Sequence, residues 1–148
     1  MSSRPKIVID IVGEGKTEVP SSETPSPPEN GVVPVLVNKL CGCPNNILVR
    51  CRPLAFLIKK GGSLAKKVKF ARQQARISES AGIVVVVDSD GHWKKKHDEL
   101  IKGRNMDQMP SFPTALGVAH PCIEAWLLPD AVAIQRAFKL KAPPAAVP

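Results

Sequence analysis

The chain contains no tyrosine, and its other aromatics are four phenylalanines and two tryptophans. Proteins that hold single-stranded nucleic acid by stacking bases need exposed aromatic platforms, so that class is disfavoured. Long apolar runs are also missing. No stretch reaches the roughly 18 residues that a membrane-spanning helix requires, so no membrane partner is expected. The opening Met-Ser-Ser-Arg-Pro-Lys has neither the apolar core nor the small-residue cleavage site of a secretory signal, which makes a cytoplasmic location the expectation. Acidic residues are scarce beside basic ones: 13 Asp and Glu against 21 Lys and Arg, a formal net charge of +8.

That excess is local. Lys59, Lys60, Lys66, Lys67, Lys69, Arg72 and Arg76 form one group, and Lys94, Lys95 and Lys96 another. Such clusters suit a polyanionic partner, nucleic acid above all, although a solvated helix face has the same composition. The length, 148 residues, suits one domain, and 43% hydrophobic residues suffice for a core. The 15 prolines gather mainly at 20–34 and 143–148. A single domain over 1–142 is therefore expected, with a flexible Pro-rich loop at 20–30 and a disordered tail at 143–148. Cysteines stand at 41, 43, 51 and 122. Cys41 and Cys43 are closer together than the usual spacing of a structural zinc site, so reduced thiols are expected rather than a zinc set completed by Cys51 and His120.

Lys6–Val12 reads as a first strand, apolar and β-branched, followed by glycines at 13 and 15 that allow a tight turn. A helix is expected to begin close to Thr17, to be broken by the prolines, and to resume over Val32–Leu40. Ile47–Arg52 reads as a second strand. Ser63 is a candidate N-cap for a helix ending near Ile77, with Leu64, Val68, Ala71 and Ala75 at helical spacing. Ile83–Val87 is an unbroken β-branched run, the pattern of a strand covered on both faces. The segment Gly91–Pro113 reads as irregular, with at most a short helix at Asp98–Ile101. Thr114–Ala119 reads as a further strand, Ile123–Leu128 as a short helix, and Ala131–Leu140 as a last helix. Alternating elements of this kind predict an α/β fold of about four mostly parallel strands with helices on both faces.

Three motifs carry candidate chemistry: Gly-Glu-Gly-Lys-Thr-Glu at 13–18, Asp-Ser-Asp-Gly at 88–91, and His-Pro-Cys-Ile-Glu-Ala-Trp-Leu-Leu at 120–128. The first is not a phosphate-binding loop. That motif needs a glycine five residues before its Gly-Lys pair, and Asp10 stands there instead. Glu14 follows the first strand and Asp88 and Asp90 follow the buried one, so all three should reach the same edge of a parallel sheet, where ligands bind. Acids gathered there repel one another unless a cation joins them, and hard oxygen ligands suit Mg²⁺ or Mn²⁺. The competing reading of Asp-Ser-Asp-Gly is a turn. It accounts for Asp90-Gly91 but not for Asp88 at the end of an apolar run. Glu14 and Glu18, four residues apart, also read as helix N-terminal acids favoured by the macrodipole, a reading that suits Glu18 better than Glu14. Glu124 lies in an apolar run, either as a ligand or on a solvent face. His120 reads as a core histidine before a ligand or phosphate contact. His92 and His97, among lysines, read as exposed.

Together these residues resemble the Toprim superfamily, the metal-binding catalytic domain of topoisomerases, DnaG-type primases and OLD-family nucleases. Its pattern is a Glu-Gly turn after one strand and Asp-x-Asp after another, matched here by Glu14-Gly15 and Asp88-Ser89-Asp90. The form Glu-Gly-x-Thr-Glu with the late His-Pro-x-Ile-Glu-Ala-Trp-Leu-Leu is similar to small stand-alone bacterial proteins of the OLD-like and RloB-like kind, which are found with ATPases in phage defence. The likeness spans about residues 6–130. It implies a Rossmann-like Toprim fold and a metal-dependent nuclease. Glu14, Asp88 and Asp90 would be catalytic, and Glu14, Glu18, Asp88, Asp90 and Glu124 would be metal ligands. It also implies an ATPase as a partner. Lys59, Lys60, Lys66, Lys67, Lys94, Lys95 and Lys96 would then contact the nucleic-acid backbone. The alternative is a non-catalytic module that binds nucleic acid or an ATPase. Two departures from the family stand out: the Pro-rich interruption at 20–28, and a chain that stops soon after the late motif, where related proteins often continue.

Overall fold

The computed structural model describes residues 6–14, 19, 21–29, 31–42, 46–54, 62–106, 108 and 111–120, and positions 132, 135, 136, 139, 141 and 142. Five strands form one sheet: β1 (Ile7–Gly13), β2 (Ser22–Ser26), β3 (Ile47–Pro53), β4 (Gly82–Asp88) and β5 (Thr114–Ala119). Their order is β2-β3-β1-β4-β5. β3, β1, β4 and β5 run parallel, and β2 lies antiparallel on β3 at the edge. Among the described residues three continuous helices stand: α1 (Val32–Cys41), α2 (Leu64–Ile77) and α3 (Trp93–Asn105).

Parallel strands need helical crossovers, and these divide the core in two. On one face Val33 and Val37 of α1 pack with Ile11, Val49 and Cys51. On the other, Val68, Ala71 and Ala75 of α2 and Leu100 of α3 pack with Val12, Ile83, Val85 and Val87. The unbroken apolar run of β4 follows from this: Val85 and Val87 serve the second core, while Val84 and Val86 pack against the first. The expected α/β class, mostly parallel sheet and helices on both faces are all present.

Two expectations of secondary structure change. The Pro-rich segment is not wholly a flexible loop, since Ser22–Ser26 forms the edge strand β2 and brings the strand count to five. Pro25 is tolerated because an edge strand leaves one row of backbone groups unpaired, and the pairing with β3 shifts register between Ser22 and Ser26. The segment after Gly91 is not irregular either, because α3 covers 13 residues of it. Only Leu100 and Gly103 of α3 are buried, too narrow an apolar stripe for hydrophobic periodicity to reveal, although its lysines, glutamate and leucine favour helix. α3 meets α2 at Gly103. A Cβ there would stand 2.5 Å from the Ala65 carbonyl oxygen and 2.7 Å from Val68 Cβ.

Arg72, expected in the basic surface group, is instead fully buried and donates to the Arg104 carbonyl oxygen near the end of α3. A cation suits the negative end of a helix. Asp10 is buried in the middle of β1. Its Oδ1 accepts from Ser80 Oγ at 2.7 Å and from Arg50 Nη1 at 3.2 Å. The start of the helix expected from Thr17, the short helix at Ile123–Leu128 and the tail at 143–148 lie outside the described residues, while Val19 is a buried bend rather than helix. Of the last expected helix, Val132, Gln135 and Arg136 are helical, whereas Lys139 stands in a turn with φ 52°.

Candidate functional site

The carboxyl ends of β1, β4 and β5 lie side by side. Gly13 pairs with Val86, and Asp88 pairs with Ala119. Glu14, Asp88 and His120, each at or just beyond the end of its strand, therefore share one edge. From β1 the chain reaches β3 on one side and then returns, by way of α2, to β4 on the other. The boundary between β1 and β4 is thus where the winding reverses, the position at which open α/β sheets leave a crevice.

Glu14 and Asp90 converge there on one cation. Lys96 Nζ donates to Glu14 Oε1 at 3.0 Å and to Asp90 Oδ2 at 2.6 Å. Burial pulls the Lys96 ammonium down, but the hydrogen bonds and charges of Asp90 and Glu14 outweigh it and hold the group above the ordinary lysine range. Lys96 reaches them because a tight turn sends the chain straight into α3. His92 N donates to Ser89 O at 2.8 Å, and both central residues, Asp90 (φ 47°) and Gly91 (φ 77°), have positive φ. Asp-Gly is favoured for that geometry. The turn reading of Asp90-Gly91 therefore holds, and the same turn presents the Asp90 carboxylate. Asp90 is exposed, whereas Asp88, still within β4, is half-buried.

Beside the pair lies a cleft of about 550 Å³ whose walls include Glu14, Lys67, His92, Lys95, Lys96 and Glu99. Ser63 stands at the same cleft and caps α2 as expected, accepting from Lys66 N at 3.3 Å. Glu99 Oε2 accepts from Ala65 N at 3.3 Å, so a carboxylate from α3 occupies the positive end of α2. Lys66, Lys94 and Lys95 are exposed, while Lys67 and Lys96 are half-buried. Lys59 and Lys60 lie outside the described residues, as do Glu18 and Glu124.

His120 is exposed rather than part of the core, and its Nδ1 lies 2.9 Å from Oγ of the buried Ser89. His92 and His97 are exposed, as expected. Sequence reasoning missed the bridging role of Lys96 and the Ser89–His120 pair. The only signal for the first is the spacing of six between Asp90 and Lys96, which has meaning only once a turn and a helix start are known. Cys41 is an exposed free thiol and Cys51 a buried one, while Cys43 and Cys122 lie outside the described residues.

The donor chemistry suits a small divalent cation. The Glu14 and Asp90 oxygens already contact one ammonium nitrogen. Each would have to move in by roughly an ångström or less to reach the ~2.0–2.1 Å of a Mg²⁺–oxygen bond. Two carboxylates, completed by water, are a usual protein contribution to that ion's coordination. Among the described residues no group of three or more Asp, Glu, His or Cys side chains is gathered at metal-binding distance. No family model, curated protein or solved structure matches the chain.

Proposed function

We propose that the chain is a Toprim-type phosphodiesterase that cleaves nucleic acid with Mg²⁺ or Mn²⁺ held by Glu14, Asp88 and Asp90. The observation that carries this reading is the convergence of Glu14 and Asp90, from two adjacent parallel strands, on a single positive charge beside a lysine-lined cleft. A divalent ion held by these carboxylates would supply positive charge to the scissile phosphate and would make a bound water more acidic. Glu14, on the turn after β1, would accept a proton from the attacking water. Lys67 and Lys95, at the cleft, and Lys66 and Lys94, outside it, bind backbone phosphates without reading sequence. Glu18 and Glu124 complete the ligand set in the family pattern, with Lys59 and Lys60 extending the basic surface. A role in phage defence beside an ATPase belongs to the same reading.

The test is metal-dependent cleavage of DNA and RNA by the wild type, Glu14→Ala and Asp88→Ala, with circular dichroism to check folding. Both variants are expected to fold and to lose cleavage. Cleavage at the wild-type level in both overturns the proposal.

One observation favours a second reading, a non-catalytic module that binds nucleic acid or an ATPase. Lys96 already neutralises Glu14 and Asp90 in part, so the pair does not require a metal to be stable. A chain whose melting temperature is unmoved by millimolar Mg²⁺ or Mn²⁺, yet which binds nucleic acid, fits that module.

A further inference from the structure

We infer that Lys96 is a tethered counter-ion for the candidate metal site: its ammonium holds Glu14 and Asp90 together in the metal-free protein, and a divalent cation binds by displacing it. The inference rests on the metal-dependent reading above and gives Lys96 a role at the metal site that the reading does not assign.

The geometry points to displacement rather than coexistence. The Lys96 nitrogen contacts one oxygen of each carboxylate, at 3.0 and 2.6 Å. A cation bridging those oxygens would occupy nearly the same point, where two positive centres repel. Lys96 is also set apart from its neighbours. Lys94 and Lys95 are exposed, whereas the Lys96 side chain retains 21% of its accessible surface. It extends from the first turn of α3 towards the ends of β1 and β4. An ammonium so placed is not free for a phosphate backbone until something else neutralises the acids. Displacement would swing it into the adjoining cleft beside Lys67 and Lys95. Metal loading and the gathering of positive charge for a polyanion would thereby become one event. Because the metal must compete with an internal cation, its apparent affinity is lowered by the fraction of molecules in which Lys96 holds the pair.

The experiment is Mn²⁺ binding, read by the electron paramagnetic resonance of free Mn²⁺, to the full chain and its Lys96→Met variant. A parallel measurement on the wild type compares acylation of Lys96 with that of Lys94 and Lys95, by mass spectrometry, with and without Mn²⁺. Lys96→Met is expected to bind Mn²⁺ about tenfold more tightly or better. In the wild type Lys96 is expected to be protected from acylation until Mn²⁺ is added, while its neighbours react throughout. Equal or weaker binding by Lys96→Met, or Lys96 acylation indifferent to bound Mn²⁺, overturns the displacement and leaves the metal site standing. Absence of Mn²⁺ binding by both proteins overturns the metal reading as well. If the variant does not fold, the acylation measurement decides on the wild type alone.

Discussion

Asp10 is a carboxylate in the middle of a buried strand, and such a charge persists only when it is paired and hydrogen-bonded. Ser80 and Arg50 meet it from β4's approach and from β3. Removing Asp10 leaves the largely buried Arg50 without a carboxylate, its remaining contacts being the neutral Glu23 carbonyl and Ser80 hydroxyl, so Asp10→Ala should cost about 3 kcal/mol of unfolding free energy, measurable by urea titration. The same carboxylate acts on its neighbour Cys51. Burial, and then the Asp10 charge, push the Cys51 thiol up to about 11. A thiol raised on folding imposes no penalty while it is protonated in both states. Its effect appears as a loss of stability when pH rises from about 9 through about 11. In native protein at pH 8, a thiol reagent should therefore label Cys41, which is exposed, and spare Cys51. Equal labelling of the two would contradict the packing of Cys51 against β1.

At the scale of elements, the contact between α2 and α3 decides where the lysines go. Gly103 allows the helices to touch, and Gly103→Ala would drive a methyl into the Ala65 carbonyl and Val68. Overpacking of this kind costs about 1–3 kcal/mol, and a thermal melt of the variant should show the drop. Because α3 carries Lys95 and Lys96, the same substitution should weaken nucleic-acid binding without touching a single basic residue. The α2 N-terminus offers a smaller test. Ser63→Ala removes the acceptor for Lys66 N and should cost about 1 kcal/mol, less where Glu99 takes up the exposed donors.

At the scale of the molecule, the packing of α2 and α3 brings Lys67, Lys95 and Lys96 to one cleft of a chain whose formal net charge is +8. Nucleic-acid affinity should fall steeply with salt, and each of Lys67→Ala and Lys95→Ala should lower the slope of log K against log salt by about 1. Unchanged slopes in both would place the polyanion elsewhere. Legibility of the fold tracked burial. β4 was plain because both of its faces are covered, and α2 because five of its positions are buried. α3 and β2 were not, for opposite reasons. α3 buries too little to show a period, and β2 is a polar, proline-bearing edge whose existence depends on pairing with β3.

By itself, the sequence determined that carboxylates follow two strands and the sheet edge on which they stand. Apolar runs ending in Glu14 and Asp88 mark strand ends, and parallel strands deliver such ends to one side. Tertiary structure decided which charges meet. Arg72 and Lys96 look alike in a row of basic residues, yet one is buried at the end of α3 and the other joins Glu14 to Asp90. Charge carries no periodicity that reports its partner. A pairing between residues 82 positions apart exists only once the turn at Asp90-Gly91 and the start of α3 have set the reach of the side chain.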